Sequence, residues 1–79
     1  MYEEDLRERG FKEEEPGLYT AEWGEEDSTY LADNLGIEEE YETLTIQADT
    51  TTGKFTIMLD DDVFDSGADI DELLEALDG

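Results

Sequence analysis

The sequence predicts an α+β fold: an antiparallel sheet of two β-hairpins, covered by a C-terminal amphipathic helix and a short N-terminal helix. Three observations carry that expectation. Between Tyr41 and Asp62, two apolar alternations face each other across a turn, Leu44, Ile46 and Ala48 on one run and Phe55, Ile57 and Leu59 on the other. That period of two, rich in Thr, Ile and aromatic residues, is the mark of paired strands. Near the end of the chain, Ile70, Leu73, Leu74 and Leu77 recur at i, i+3, i+4 and i+7, the stripe of a helix that covers something apolar. Finally, 37% of the residues are hydrophobic, enough to draw a strongly acidic chain into a folded domain rather than leave it disordered.

Taken in order, Tyr2 to Arg9 reads as a short helix. Tyr2 and Leu6 share a face, and Glu3 with Arg7 and Asp5 with Arg9 stand four apart in the favourable acid-first order. Gly10 suits its C-terminal stop. Three of the four basic residues, Arg7, Arg9 and Lys12, fall in or just after this segment, which gives them a local structural role.

Phe11 to Glu15 and Leu18 to Trp23 form the next hairpin, around Pro16 and Gly17 at the centre of a type II turn. Tyr19, Ala21 and Trp23 share one face, but Lys12 and Glu14 would point the same way from the partner strand. The pair is therefore a sheet edge or contains a bulge. In Gly24 to Glu40, Asp27 or Ser28 is placed to cap a short helix through Leu35, closed by Gly36, with an ordered loop as the alternative. The central hairpin turns through Asp49-Thr50-Thr51-Thr52-Gly53, where Gly53 supplies the positive φ of a bulged loop. An isolated hairpin is marginal in water, so it needs the cover that the last helix offers. Ser66 followed by Asp69 resembles a capping box for that helix. No repeat of solenoid length and no linker interrupts the chain, so residues 1–79 read as one acidic domain.

Charge dominates the composition, with 26 Asp and Glu against 4 Lys and Arg for a net charge of −22. Duplex DNA carries one charge per ~1.7 Å of axis, so this equals roughly 11 base pairs drawn into a globule about 12 Å in radius of gyration. Nucleic acid and anionic membranes would repel such a body, and its partners are basic surfaces. With no cysteine and no histidine, disulfides, thiol nucleophiles, imidazole acid-base schemes and the usual zinc sites are excluded. No apolar run reaches the ~18 residues of a membrane span, and the acidic start is the opposite of a signal peptide. A soluble, cytoplasmic protein is expected.

No catalytic motif is present, and no cofactor site. Paired carboxylates perform acid-base work in many enzymes, yet among 26 acids some pairs are close by chance, and a Gly-rich phosphate loop is missing. The expectation is a protein that is not an enzyme. Asp60-Asp61-Asp62 and the acids after it invite a calcium reading. Phe64, however, falls at a ligand position whether the loop is counted from Asp60 or from Asp62, so the EF-hand spacing fails. A solvated strand end followed by a helix cap accounts for these residues without a metal.

Five acidic triplets stand out: Glu3-Glu4-Asp5, Glu13-Glu14-Glu15, Glu25-Glu26-Asp27, Glu38-Glu39-Glu40 and Asp60-Asp61-Asp62. Each lies in or beside an expected turn or element end. Charge runs usually mark solvated surface, and a chain adapted to concentrated salt would carry such acids with no partner at all. Held on a rigid scaffold, the last four triplets would instead stand in for backbone phosphates in a Lys/Arg-lined groove. A separate feature is the outward face of the central hairpin, where Thr43, Thr45, Gln47, Thr56 and Met58 are uncharged. Thr has high β-propensity, which explains this locally. Contact with a partner or a second copy of the chain, where buried carboxylates would be costly, explains it functionally. Tyr19, Trp23, Tyr30 and Tyr41 are candidates to extend that surface, with Trp23 better suited to the core.

By its size, acidity, α+β make-up and these five triplets, the chain resembles small phage-encoded inhibitors that imitate DNA, among them some anti-CRISPR proteins and inhibitors of DNA-repair glycosylases or restriction enzymes. The resemblance implies a non-enzymatic inhibitor that occupies the nucleic-acid site of a basic protein complex. The alternative is a small structural or dimeric domain of a halophile, whose acidity is solvent adaptation.

Overall fold

A computed structural model describes residues 2–78. The elements run α1 (Glu3–Glu8), β1 (Lys12–Glu15), β2 (Leu18–Gly24), α2 (Thr29–Leu35), β3 (Thr43–Asp49), β4 (Lys54–Leu59), β5 (Asp62–Asp69) and α3 (Ile70–Asp78). All five strands form one antiparallel sheet in chain order, β1-β2-β3-β4-β5. The fold is α+β, with both expected hairpins, the C-terminal helix and the short N-terminal helix in place.

The central hairpin pairs Leu44 with Leu59, Ile46 with Ile57 and Ala48 with Phe55, and all six are buried. Burying one face pins this register, because a slip of one residue would turn every apolar side chain outward. Gly53 closes the turn at φ +76°, and its amide donates to the Asp49 carbonyl at 2.8 Å. Leu6, Leu31, Ile70, Leu73 and Leu77 meet this face together with Tyr19 and Ala21. The helices thus cover one side of the sheet, and the radius of gyration is 11.5 Å.

The first hairpin is both an edge and bulged. Glu13 pairs with Tyr19 and Glu15 with Leu18, leaving Glu14 as the extra residue. Lys12 lies opposite Thr20, on the uncovered side of the sheet, instead of sharing the face of Tyr19 and Ala21. Gly17 takes φ +86°, and its carbonyl accepts from the Thr50 amide at 2.8 Å, which ties the two hairpin turns together.

Two local expectations are corrected. Ser66 and Asp69 do not form a capping box for the last helix: they lie in β5, a fifth strand that pairs with β4 through Ser66 opposite Thr56 and Asp69 opposite Lys54. The helix begins one residue later, at Ile70. Ser28 precedes α2, but its hydroxyl does not cap it. Instead the fully buried Ser28 Oγ lies 2.8 Å from the Gly24 carbonyl and 2.6 Å from the Tyr41 hydroxyl. Its single proton goes to the carbonyl, so Tyr41 donates to Ser28. Gly36 ends α2 in the left-handed conformation at φ +75°, as its position suggested.

Arg7 and Arg9 join α1 to distant parts of the chain. Arg7 Nη2 donates to the Tyr19 hydroxyl at 3.0 Å, and the guanidinium lies 5.5 Å from the centre of that ring. Arg9 donates to both carboxylate oxygens of Asp78 at 2.7 Å and to the Asp5 carbonyl at 2.7 Å. That fork holds α1 against the last turn of α3. Among the described residues no helix is long and apolar enough to cross a membrane.

Candidate functional site: an acidic end and an uncharged face

In a sheet whose strands run up and down in chain order, alternate connections lie at the same end. The β2–β3 connection carries Glu25–Asp27 and Glu38–Glu40, and the β4–β5 turn carries Asp60 and Asp61 with Asp62 next to them. Three triplets separated by up to 35 positions therefore share one end of the molecule. Glu42 is where they join. Its carbonyl accepts from the Glu25 amide at 3.1 Å, and its amide donates to Asp60 Oδ1 at 3.0 Å. Glu25, Glu39, Glu40, Glu42 and Asp60 line a cleft of about 640 Å³ around Tyr41. All nine triplet residues and Glu42 are exposed.

Two local devices hold this end in shape. Asp60 and Asp61 are the two residues of the β4–β5 turn, at φ +56° and +110°, as a type I′ hairpin requires. The Asp60 carboxylate is fixed against β3 by the Glu42 and Thr43 amides, at 3.0 and 2.9 Å, and the Asp60 amide donates to the Thr43 carbonyl at 3.0 Å. On the other side, the Ser28–Tyr41 hydrogen bond ties the start of α2 to the segment entering β3.

The fourth triplet, Glu13–Glu15, lies elsewhere. It forms most of the edge strand β1 and runs towards the opposite end, since Glu15 pairs with Leu18 and Leu18 with Asp49. The six steps from Leu18 to Gly24 separate it from the acidic end by ~20 Å. Its four-residue strand is exposed along its whole length, and a row of carboxylates on an edge repels strand addition. The site expected from four triplets thus divides into an end of three and an edge of one.

Thr43, Thr45, Gln47, Thr56 and Met58 lie together on the side of the sheet opposite the helices, alternating with the buried residues of β3 and β4. Cross-strand neighbours extend this face to Thr20 and to Val63. Of the aromatic residues proposed to join it, Tyr19 and Tyr41 are buried and Trp23 packs on the core, its ring 5.8 Å from Phe11. Tyr30 is 55% exposed, on α2 beside the acidic end.

For calcium, the relevant geometry is that of β5. Gly67 does stand sixth from Asp62, but at φ +86° it is the extra residue of a strand bulge and not the turn of a cation loop. Among the described residues no three carboxylates are placed to hold a metal ion. Compared with known proteins, the chain matches no family model, no curated protein and no solved structure.

Proposed function

We propose that the protein is a non-enzymatic, cytoplasmic inhibitor that imitates the charge of nucleic acid and occupies a basic, nucleic-acid-binding surface of a partner protein complex, in the manner of anti-CRISPR proteins. The observation that carries the reading is the convergence of Glu25–Asp27, Glu38–Glu40 and Asp60–Asp62 around Glu42. Those ten carboxylates correspond to about 17 Å of duplex axis, on a body whose longest extent is 32 Å. A Lys/Arg-lined groove that neutralises phosphates by releasing counterions would gain the same electrostatic term from this end. The Asp60 clamp and the Ser28–Tyr41 bond lower the entropy lost on binding, because the charges are already positioned. Direct binding to nucleic acid is no part of the reading.

Charge-matched competition tests it. Glu38, Glu39 and Glu40 are changed to Gln in one variant, and Glu13, Glu14 and Glu15 in another, removing three charges each. Each protein then competes a fluorescent duplex off a panel of basic DNA-binding proteins at ~0.15 M salt. The expected result is that the Glu38–Glu40 variant loses at least ten-fold more potency. Equal losses would reduce the effect to net charge and sink the proposal.

A second reading, a halophile's structural or dimeric domain, is favoured by a different observation. Exposed acids also cover α1, α3 and the β1 edge, at Glu4, Asp71, Glu72, Glu75 and Glu13–Glu15, where a mimic with one binding end has no need of them. Dependence of folding on molar salt would support it.

A further inference from the structure

We propose that the uncovered face of the sheet is the contact surface of a homodimer, in which two copies stack face to face, turned end for end, and which forms where salt screens their acidic rims. This surface borders the acidic end at Asp61 and does not depend on the reading above. The centre of the face is made of Thr20, Thr45, Gln47, Thr56, Met58 and Val63, with no charge among them. Val63, 63% exposed, lies across from Met58. A charge-depleted centre within a charged rim is the anatomy of a protein interface.

The charges at the margin point to a second copy as the occupant. Two of the chain's four basic residues, Lys12 and Lys54, belong to this face, Lys12 opposite Thr20 and Lys54 opposite Asp49. Glu22 and Asp61 lie towards the other end, beside Thr45 and Met58. A two-fold axis parallel to the sheets, midway between the copies and perpendicular to the strands, exchanges the ends. Each strand then faces its own counterpart: Thr20 lies over the partner's Glu22, Gln47 over the partner's Thr45 and Thr56 over the partner's Met58, with Lys12 one strand away from the partner's Glu22 and Lys54 beside the partner's Asp61. Such a contact is self-complementary, as a symmetric dimer requires, and stacked sheets sit ~10 Å apart.

Area and charge together set the conditions. Five strands ~4.8 Å apart and ~20 Å long present about 480 Å² per copy, near 1,000 Å² for the pair, the low end for a specific interface. Against it stands the repulsion of two bodies of charge −22 each, with Asp49 and Asp69 flanking Lys54 at the rim. The Debye length falls from ~8 Å at 0.15 M salt to ~3 Å at 1 M, so salt removes most of that repulsion while leaving the apolar contact.

Sedimentation equilibrium at 0.15 M and 2 M potassium chloride tests the proposal. The expected mass is 9.0 kDa at low salt and about twice that at 2 M, with protein at ~0.1 mM. Thr56→Arg should weaken the dimer at least ten-fold even though it lowers the net charge, and Thr45→Lys repeats that test if the first variant fails to melt cooperatively. Lys54→Asp should raise the salt concentration at which the dimer forms, and adding Asp61→Lys should bring it back down. A monomer at 2 M salt up to ~1 mM protein, or a dimer indifferent to Thr56→Arg, would overturn the proposal.

Discussion

Asp61 holds a backbone conformation that an L side chain resists, with φ at +110° in a two-residue turn. Asp-Gly is a preferred pair for such turns, whereas here the second residue is also Asp. Asp61→Gly is therefore expected to raise stability by about 0.5 kcal/mol in urea unfolding, the relieved strain exceeding the added freedom of the unfolded chain. Gly17 is the opposite case. A Cβ there would sit 2.8 Å from Thr51 Cγ2, at φ +86°, so Gly17→Ala should cost about 1–2 kcal/mol in the same measurement. Asp49 gives the pH dependence. Hydrogen bonds from the Thr51 hydroxyl and amide hold its carboxyl below the ordinary aspartate range. A depressed folded pKa contributes stability that is present above the unfolded value, ~3.9, and is lost as pH falls through the folded one. The stability difference between the native chain and Asp49→Asn should accordingly shrink from pH 6 to pH 3. A constant difference would remove Asp49 from the acid limb.

At the scale of elements, α3 is the main cover of the central hairpin, and its fully buried Leu73 is the position to test. Leu73→Ala should cost about 2–4 kcal/mol, by lost transfer energy and the cavity left behind. The Arg9–Asp78 fork joins α1 to the end of α3, but the side chains are 23% and 62% exposed. A double-mutant cycle should give a coupling of only about 0.5–1 kcal/mol, smaller in molar salt. The elements differ in how clearly periodicity announced them. In β3 and β4 each residue on the buried face is apolar and, Met58 apart, its neighbours are not, so the alternation was visible. In β5 the pairing jumps from Asp65 to Val63 and from Ala68 to Ser66, leaving Phe64 and Gly67 as extra residues. Two bulges break the period of two, and Asp62, Asp65 and Asp69 along an edge strand resemble a loop. Ser28 carried a capping signal, but a buried tyrosine hydroxyl and a carbonyl compete for its Oγ, and that competition is tertiary. The triplets themselves were plain. Their convergence was hidden because periodicity carries no strand order, and only the β2–β3 and β3–β4 pairings bring Glu25, Glu42 and Asp60 to one end.

For the whole molecule, folding requires apolar burial on one side of a sheet to outweigh the self-repulsion of 26 acids against 4 bases. A single core gathers residues from α1, α2, α3, β2, β3 and β4, and no described buried side-chain donor or acceptor lacks a partner. Acids along β1 and β5 repel edge-to-edge association, leaving the uncovered face for the contact between copies proposed above. Added salt should stabilise the fold by screening repulsion, but it should not be needed to form it. A mimic that acts in ordinary cytoplasm must hold its acidic end in place at cytoplasmic ionic strength. The measurement that bears on this most directly is a circular-dichroism melt at ~0.15 M and at 2 M potassium chloride. A cooperative transition well above 37 °C at ~0.15 M, moved upward by added salt, is the predicted result. A chain unfolded at ~0.15 M that folds only in molar salt would contradict the account and make the acidity an adaptation to brine.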